Sequence, residues 1–206
     1  PYRNQFNIEA TVFGKKVFTD SYGFRIPTSE FKQKKENNSV LILGDSVGFG
    51  VGVNDNMTVT GLMRKEHKNL NFYNSSVVGY NLKNYYQILK KYKNIDNLKD
   101  VILFFCINDI HNSNGDSNFV NLNEKEKKFD IIWALRKIKI FNKLNEFLRS
   151  KSVFYLWVKN IIHDNSKRYF MYDLKGYDNE SNVLLVKIYF NDIKDITIKN
   201  NLNLYV

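Results

Sequence analysis

Three short strand-like segments constrain this chain most: "VLILG" at 40–44, "NLNFYNSSVVG" at 69–79 and "DVILFFCIND" at 100–109. The first and third are nearly continuous apolar runs, the pattern of strands buried on both faces. Between them lie two helix candidates. "MTVTGLMRKEHK" follows Asn54 and Asp55, either of which can cap it. "NLKNYYQILKKYK" places Leu82, Tyr85, Tyr86, Leu89 and Tyr92 at helical spacing. Residues 183–199 read as a further helix, and "LNLYV" closes the chain as a fourth strand. Strands alternating with helices predict an α/β fold, a three-layer α/β/α sandwich around a parallel sheet. Such sheets bind ligands beyond the carboxyl ends of their strands, near a topological switch point.

The flanks are different in kind. Residues 1–39 hold two β-like pieces, "NIEATVFG" and "KKVFTDSYGFRIP", with a turn at Gly14, then the polar linker "TSEFKQKKENNS". The predicted organisation is therefore an N-terminal extension over 1–39 and a main domain over 40–206. A helical insertion is expected at about 112–180. It comprises a polar loop (112–123), a helical region (124–162, with Phe129, Trp133, Leu144 and Phe147 among its apolar set) and a loop at "DLKGYDNES". Its aromatic residues are expected to pack against the sheet rather than to form a lid.

A chain of 206 residues fits one domain with a small appendage. The formal charge of +10 is spread along the chain and interrupted by acids, so no nucleic-acid partner is expected. No apolar stretch reaches the ~18–20 residues of a membrane span. Cys106 is the single cysteine, which excludes an internal disulfide framework, and three scattered histidines add no ligand cluster for a metal. No cofactor is expected. The chain begins at Pro1 and stops in an apolar run, and both ends read as cut. That leaves room for an upstream membrane anchor and an extracytoplasmic setting.

The chemistry concentrates at the strand ends. Ser46 follows the first strand in "GDSVGFGVGV". A serine at a tight strand-to-helix turn exposes its oxygen beside backbone N–H groups, and nearby glycines let a substrate approach closely. It becomes a nucleophile once a base takes its proton; otherwise Asp45 and Ser46 merely cap the turn. A phosphate loop is excluded because no Lys precedes a Ser or Thr between Gly44 and Gly50. A dinucleotide loop is excluded because Val53 stands where Gly-x-Gly-x-x-Gly needs its third glycine. Gly79 follows the second strand with a backbone N–H to offer. Asn108 ends the third with a side-chain amide. A serine, a glycine N–H and an asparagine amide on three strand ends make a nucleophile with an oxyanion hole.

These residues resemble the SGNH (GDSL-type) hydrolases, a superfamily of serine esterases. "GDS" at 44–46 matches the first block, Gly79 in "NSSVVGYN" the second, and "CIND" at 106–109 the third, with Cys106 in place of the usual glycine. "DSYGFRIP" at 20–27 is similar to a segment that precedes the core in many bacterial members. The resemblance implies Ser46 as nucleophile, with Ser46 N–H, Gly79 N–H and Asn108 as oxyanion donors. It implies a substrate that is a small ester or an O-acetylated carbohydrate. It also implies a general base in an Asp-x-x-His block after the last strand. No Asp-x-x-His occurs in these 206 residues. His67 reads as a solvated helix residue, His163 as a helix-end residue, and His111 as a substitute base or substrate contact. The expectation is that the block lies past Val206 and that this piece alone turns over little ester. An O-acyltransferase, or an inactive carbohydrate-binding module, are the alternative readings.

Overall fold

Alternation along one strand organises the sheet. Strand β4 (Asn38–Leu43) is buried from Ser39 onward. Leu41 and Leu43 join one apolar cluster, and Val40 and Ile42 join another, as strand pleating requires. β4 runs parallel to β5 (Leu70–Asn74) on one side and to β6 (Leu98–Leu103) on the other; β7 (Asn203–Tyr205) runs parallel to β6. The larger cluster gathers Leu82, Tyr85, Leu89 and Tyr92 of helix α3 (Leu82–Tyr92) and Ile193 of a later helix, α5 (Glu180–Lys199, the fifth α-helix among the described residues). The smaller one takes Met63 of helix α2 (Val59–Glu66). The structure is a computed structural model that describes residues 4–111 and 165–206.

The chain divides into two compact units, residues 1–112 with 176–206, and residues 113–175. The sheet belongs to the first. Residues 112–164 of the expected insertion, with the helical region at 124–162 and His163, lie outside the described residues.

The sheet is mixed rather than parallel throughout. Its order is β1-β2-β3-β5-β4-β6-β7. β1 (Glu9–Val12), β2 (Lys15–Thr19) and β3 (Arg25–Ile26) are antiparallel to their neighbours, and β3 meets β5 at Arg25 and Asn74. The turn at Phe13 and Gly14 has φ of 51° and 73°, the left-handed pair of a tight hairpin. Residues 9–26 thus extend the sheet beyond β5, where an unpaired strand edge would otherwise stand.

Two boundaries differ from expectation. Helix α2 is capped by Thr58, whose hydroxyl accepts from Gly61 N–H at 2.9 Å, and not by Asn54 or Asp55. The Asp55 carboxylate is taken instead by Arg64, at 3.1 and 2.9 Å. Helix α4 (Asn165–Tyr177) runs through most of "DLKGYDNES", and α5 begins at Glu180. Asn179 caps α5 by accepting from Ser181 N–H at 3.0 Å.

Candidate active site

The sheet order places a topological switch point at β4. The chain moves from β4 to β5 on one side and returns to β6 on the other. The carboxyl ends of β4 and β6 are therefore where a ligand crevice forms in such a fold. "GDS" leaves β4 and "CIND" leaves β6 there.

The turn after β4 is held from outside. Asp45 caps the short helix α1 (Ser46–Phe49), its Oδ1 accepting from Val47 N–H at 2.8 Å. Arg25 Nη1 donates to the carbonyls of Phe49 and Gly50 at 2.7 and 2.8 Å, and Nη2 to that of Val53 at 2.7 Å. Asn74 Nδ2 donates to the Gly48 carbonyl at 3.0 Å. The Arg25 guanidinium also lies over the Phe49 ring, 5.0 Å from its centroid. Asp55 balances the charge, 3.8 Å from Arg25 and 2.9 Å from Arg64. Three of the glycines in this region have steric roles. A Cβ on Gly48 would lie 2.5 Å from Ser76 Oγ, and one on Gly44 would lie 2.9 Å from it. A Cβ on Gly61 would collide with the backbone carbonyl of Asp55.

Ser46 and Asn108 come together through one carboxylate oxygen. Asp45 Oδ2 accepts from Ser46 Oγ at 3.4 Å and from Asn108 Nδ2 at 3.1 Å. Asp45 itself is buried, Ser46 half-buried and Asn108 exposed. The carboxylate is thus a fixed internal post, and the two groups it holds face outward. Asp45 Oδ1 takes a second donor, Cys106 Sγ, at 3.5 Å. Asp109 is buried behind this layer. It accepts from Cys106 N–H at 2.8 Å and from the Tyr85 hydroxyl of α3 at 3.0 Å. Burial first, and then the charge of Asp45, push the Asp109 carboxyl up to about 7. Burial and the two carboxylates also push the Cys106 thiol up to about 12. Burial and Asp109 hold the Tyr85 phenol well above its ordinary range.

Gly79 occupies the third position of a turn closed by Tyr80 N–H on the Val77 carbonyl at 3.1 Å. Its φ of 79° is what a type II turn demands there, and glycine meets that demand without strain. It is exposed where the chain leaves β5, but shares no hydrogen bond with Ser46 or Asn108.

Among the described residues, Ser46 Oγ bonds only to the Asp45 carboxylate. His67 ends α2 and lies beside the Phe72 ring. The imidazole of His111 lies against Gly176, where a Cβ would meet His111 Cε1 at 2.9 Å. A cavity of about 390 Å³ lies elsewhere, walled by Tyr22, Phe24, Val77, Tyr80, Ile88 and Tyr92; none of Ser46, Gly79 and Asn108 lines it. Among the described residues no cluster of His, Cys, Asp or Glu is placed to hold a metal ion, and no helix is long and apolar enough to cross a membrane.

Sequence reasoning missed the supporting layer. Asp45 read as a cap, and its hold on Asn108 spans 63 positions. Arg25 sat in a recognisable segment, "DSYGFRIP", but nothing local ties it to Asp55 or to residues 49–53. Compared with known proteins, the chain matches no family model and no curated protein.

Proposed function

We propose that this chain is a serine hydrolase of the GDSL type, a three-layer α/β/α enzyme that cleaves small esters or O-acetylated carbohydrate. The observation that carries the reading is the pairing of Ser46 Oγ and Asn108 Nδ2 on one oxygen of buried Asp45 at the switch point. A nucleophile and an amide donor held on one rigid anchor meet the main requirement of acyl transfer, a preorganised site. The exposed Gly79 on the neighbouring strand end agrees with a further donor from that side.

In this mechanism Ser46 Oγ attacks the ester carbonyl carbon while a general base takes its proton. The negative charge that develops on the carbonyl oxygen is met by Ser46 N–H, Gly79 N–H and Asn108 Nδ2. Collapse of the tetrahedral species breaks the bond to the alcohol oxygen, which leaves with the proton from the base. Water then attacks the acyl-serine, and Ser46 regains its proton as the acid departs. A sugar hydroxyl in place of water would make the same site an O-acyltransferase. The reading assigns the base to a histidine, the residue that the GDSL resemblance implies. Asp45 is a poor substitute, because its oxygens already accept from Val47, Cys106, Asn108 and Ser46.

A non-catalytic sugar-binding module is the second reading. It is favoured by Ser46 Oγ having only a carboxylate partner among the described residues. Release of nitrophenol from a short-chain nitrophenyl ester, with imidazole in the buffer as a mobile base, separates the two readings. Turnover that vanishes in Ser46→Ala and falls about 10²–10³-fold in Asn108→Ala supports the enzyme. Equal rates in wild type and Ser46→Ala reject it.

A further inference from the structure

Cys106 stands between two buried carboxylates and is bonded to both. Its N–H donates to Asp109 Oδ2 at 2.8 Å, and its thiol to Asp45 Oδ1 at 3.5 Å, an ordinary length for a sulfur donor. Asp109 is fixed in turn by the Tyr85 hydroxyl at 3.0 Å. A continuous chain of bonds therefore runs from α3 through Asp109, Cys106 and Asp45 to Ser46 and Asn108. We infer that Cys106 is a positioning residue whose thiol orients the Asp45 carboxylate, so that its other oxygen holds Asn108 Nδ2 beside Ser46 Oγ.

A buried carboxylate is costly unless each oxygen is satisfied. Oδ2 is engaged by the two groups of the site, so the orientation of the carboxylate is set from Oδ1. Oδ1 has two donors, Val47 N–H and the Cys106 thiol. Val47 N–H belongs to the same turn as Asp45 and moves with it. Cys106 comes from the β6 side, as Asn108 does, so its thiol ties the carboxylate to the strand end that carries the amide. Burial keeps the thiol protonated, and hence a donor, at any ordinary pH. A glycine here, as in the resembled family, would supply no such donor.

The catalytic consequence rests on the proposed acyl-transfer reading; the positional claim does not, and the experiment reads both. The side-chain amide of Asn108 is followed by NMR, assigned through its loss in Asn108→Ala, in wild type and in Cys106→Ala, Cys106→Val and Cys106→Ser. Valine fills the space of the thiol without a donor, and serine keeps a donor. The expected result is an Asn108 amide shifted toward free asparagine in the Ala and Val variants and close to wild type in the Ser variant. In the same Ala and Val variants, assayed with imidazole as the mobile base, kcat falls about five-fold, the loss of roughly one net hydrogen bond, at unchanged KM. The Ser variant restores it. An amide that does not move in Ala and Val, or moves as far in Ser, overturns the inference even if esterase activity is strong. Absence of Ser46-dependent turnover with the amide pattern as expected overturns the catalytic reading alone.

Discussion

Arg25 and Asn74 face each other where β3 meets β5, and both side chains reach across to the glycine-rich turn that follows Ser46. Asn74 takes the carbonyl of Gly48, and Arg25 those of Phe49, Gly50 and Val53. The N-terminal strands are thus bound to the turn after Ser46 by the Arg25 side chain as well as by the pairing of β3 with β5. Arg25 is almost fully buried, at 1% exposure, so its contacts are not diluted by water.

Replacing Arg25 tests this clamp. Arg25→Ala leaves Asp55 facing one cation instead of two and strands three backbone carbonyls, a loss of about 3–5 kcal/mol. Arg25→Lys does little better, because one ammonium cannot reproduce a planar fork aimed at three acceptors. Urea titration checks both. A loss below about 1 kcal/mol for either variant would place the holding force elsewhere.

Asp109 should make stability depend on pH. Its carboxyl is pushed up to about 7 in the folded protein, against an ordinary value of about 3.9. The folded state therefore holds this proton more tightly than the unfolded state. The resulting stabilisation is complete below about pH 4 and is lost as pH rises through about 7, on the order of 3–4 kcal/mol in all. Asp109→Asn should flatten this dependence between pH 5 and 8, since its oxygen can accept from Cys106 N–H and its amide can donate to Tyr85. Tyr85→Phe removes a bond that favours the charged form, so it should steepen the loss above pH 7. Melting temperatures across pH 5–8 for the three proteins decide the matter, and parallel curves would contradict it.

Ser76 offers a test of packing. Its hydroxyl is buried without a hydrogen-bond partner among the described residues and abuts Gly44 and Gly48. Ser76→Ala should be neutral or stabilising by up to about 1 kcal/mol, because an unsatisfied hydroxyl leaves the core. Gly48→Ala should cost about 1–3 kcal/mol in wild type through overpacking, and less in the Ser76→Ala background. Additive losses in the double variant would show that the two sites do not meet.

The legible part of this protein was its periodicity. The apolar run at 40–44 became most of β4, the run from Asp100 became the latter half of β6 only as far as Leu103, with Ile107–Ile110 a short 3-10 helix beyond the sheet, and the spacing of Tyr85, Leu89 and Tyr92 became the buried face of α3. The antiparallel attachment of β1–β3 was not legible, because a strand's hydropathy does not say which edge it joins or in which direction. Ser46 and Asn108 stood out because each follows a strand-like run with a polar side chain, a hydroxyl and an amide. The Asp45 post that joins them did not, since its two clients follow different strands and only the sheet order brings those strands together. Asp55, like Asn54, reads locally as a helix cap, because a local rule exists for caps and none exists for its pairing with Arg25 and Arg64.

The central claim is that Ser46 is a nucleophile in a site built for acyl transfer. Fluorophosphonate labelling followed by mass spectrometry of the peptides tests it most directly. It is run with and without imidazole in the buffer, so that a mobile base is available wherever the protein's own base lies. The account predicts a single phosphonyl adduct on Ser46, formed faster with imidazole, absent in Ser46→Ala and slowed in Asn108→Ala. An unmodified Ser46 under both conditions, or a label carried by other residues at the same rate in Ser46→Ala, would contradict it.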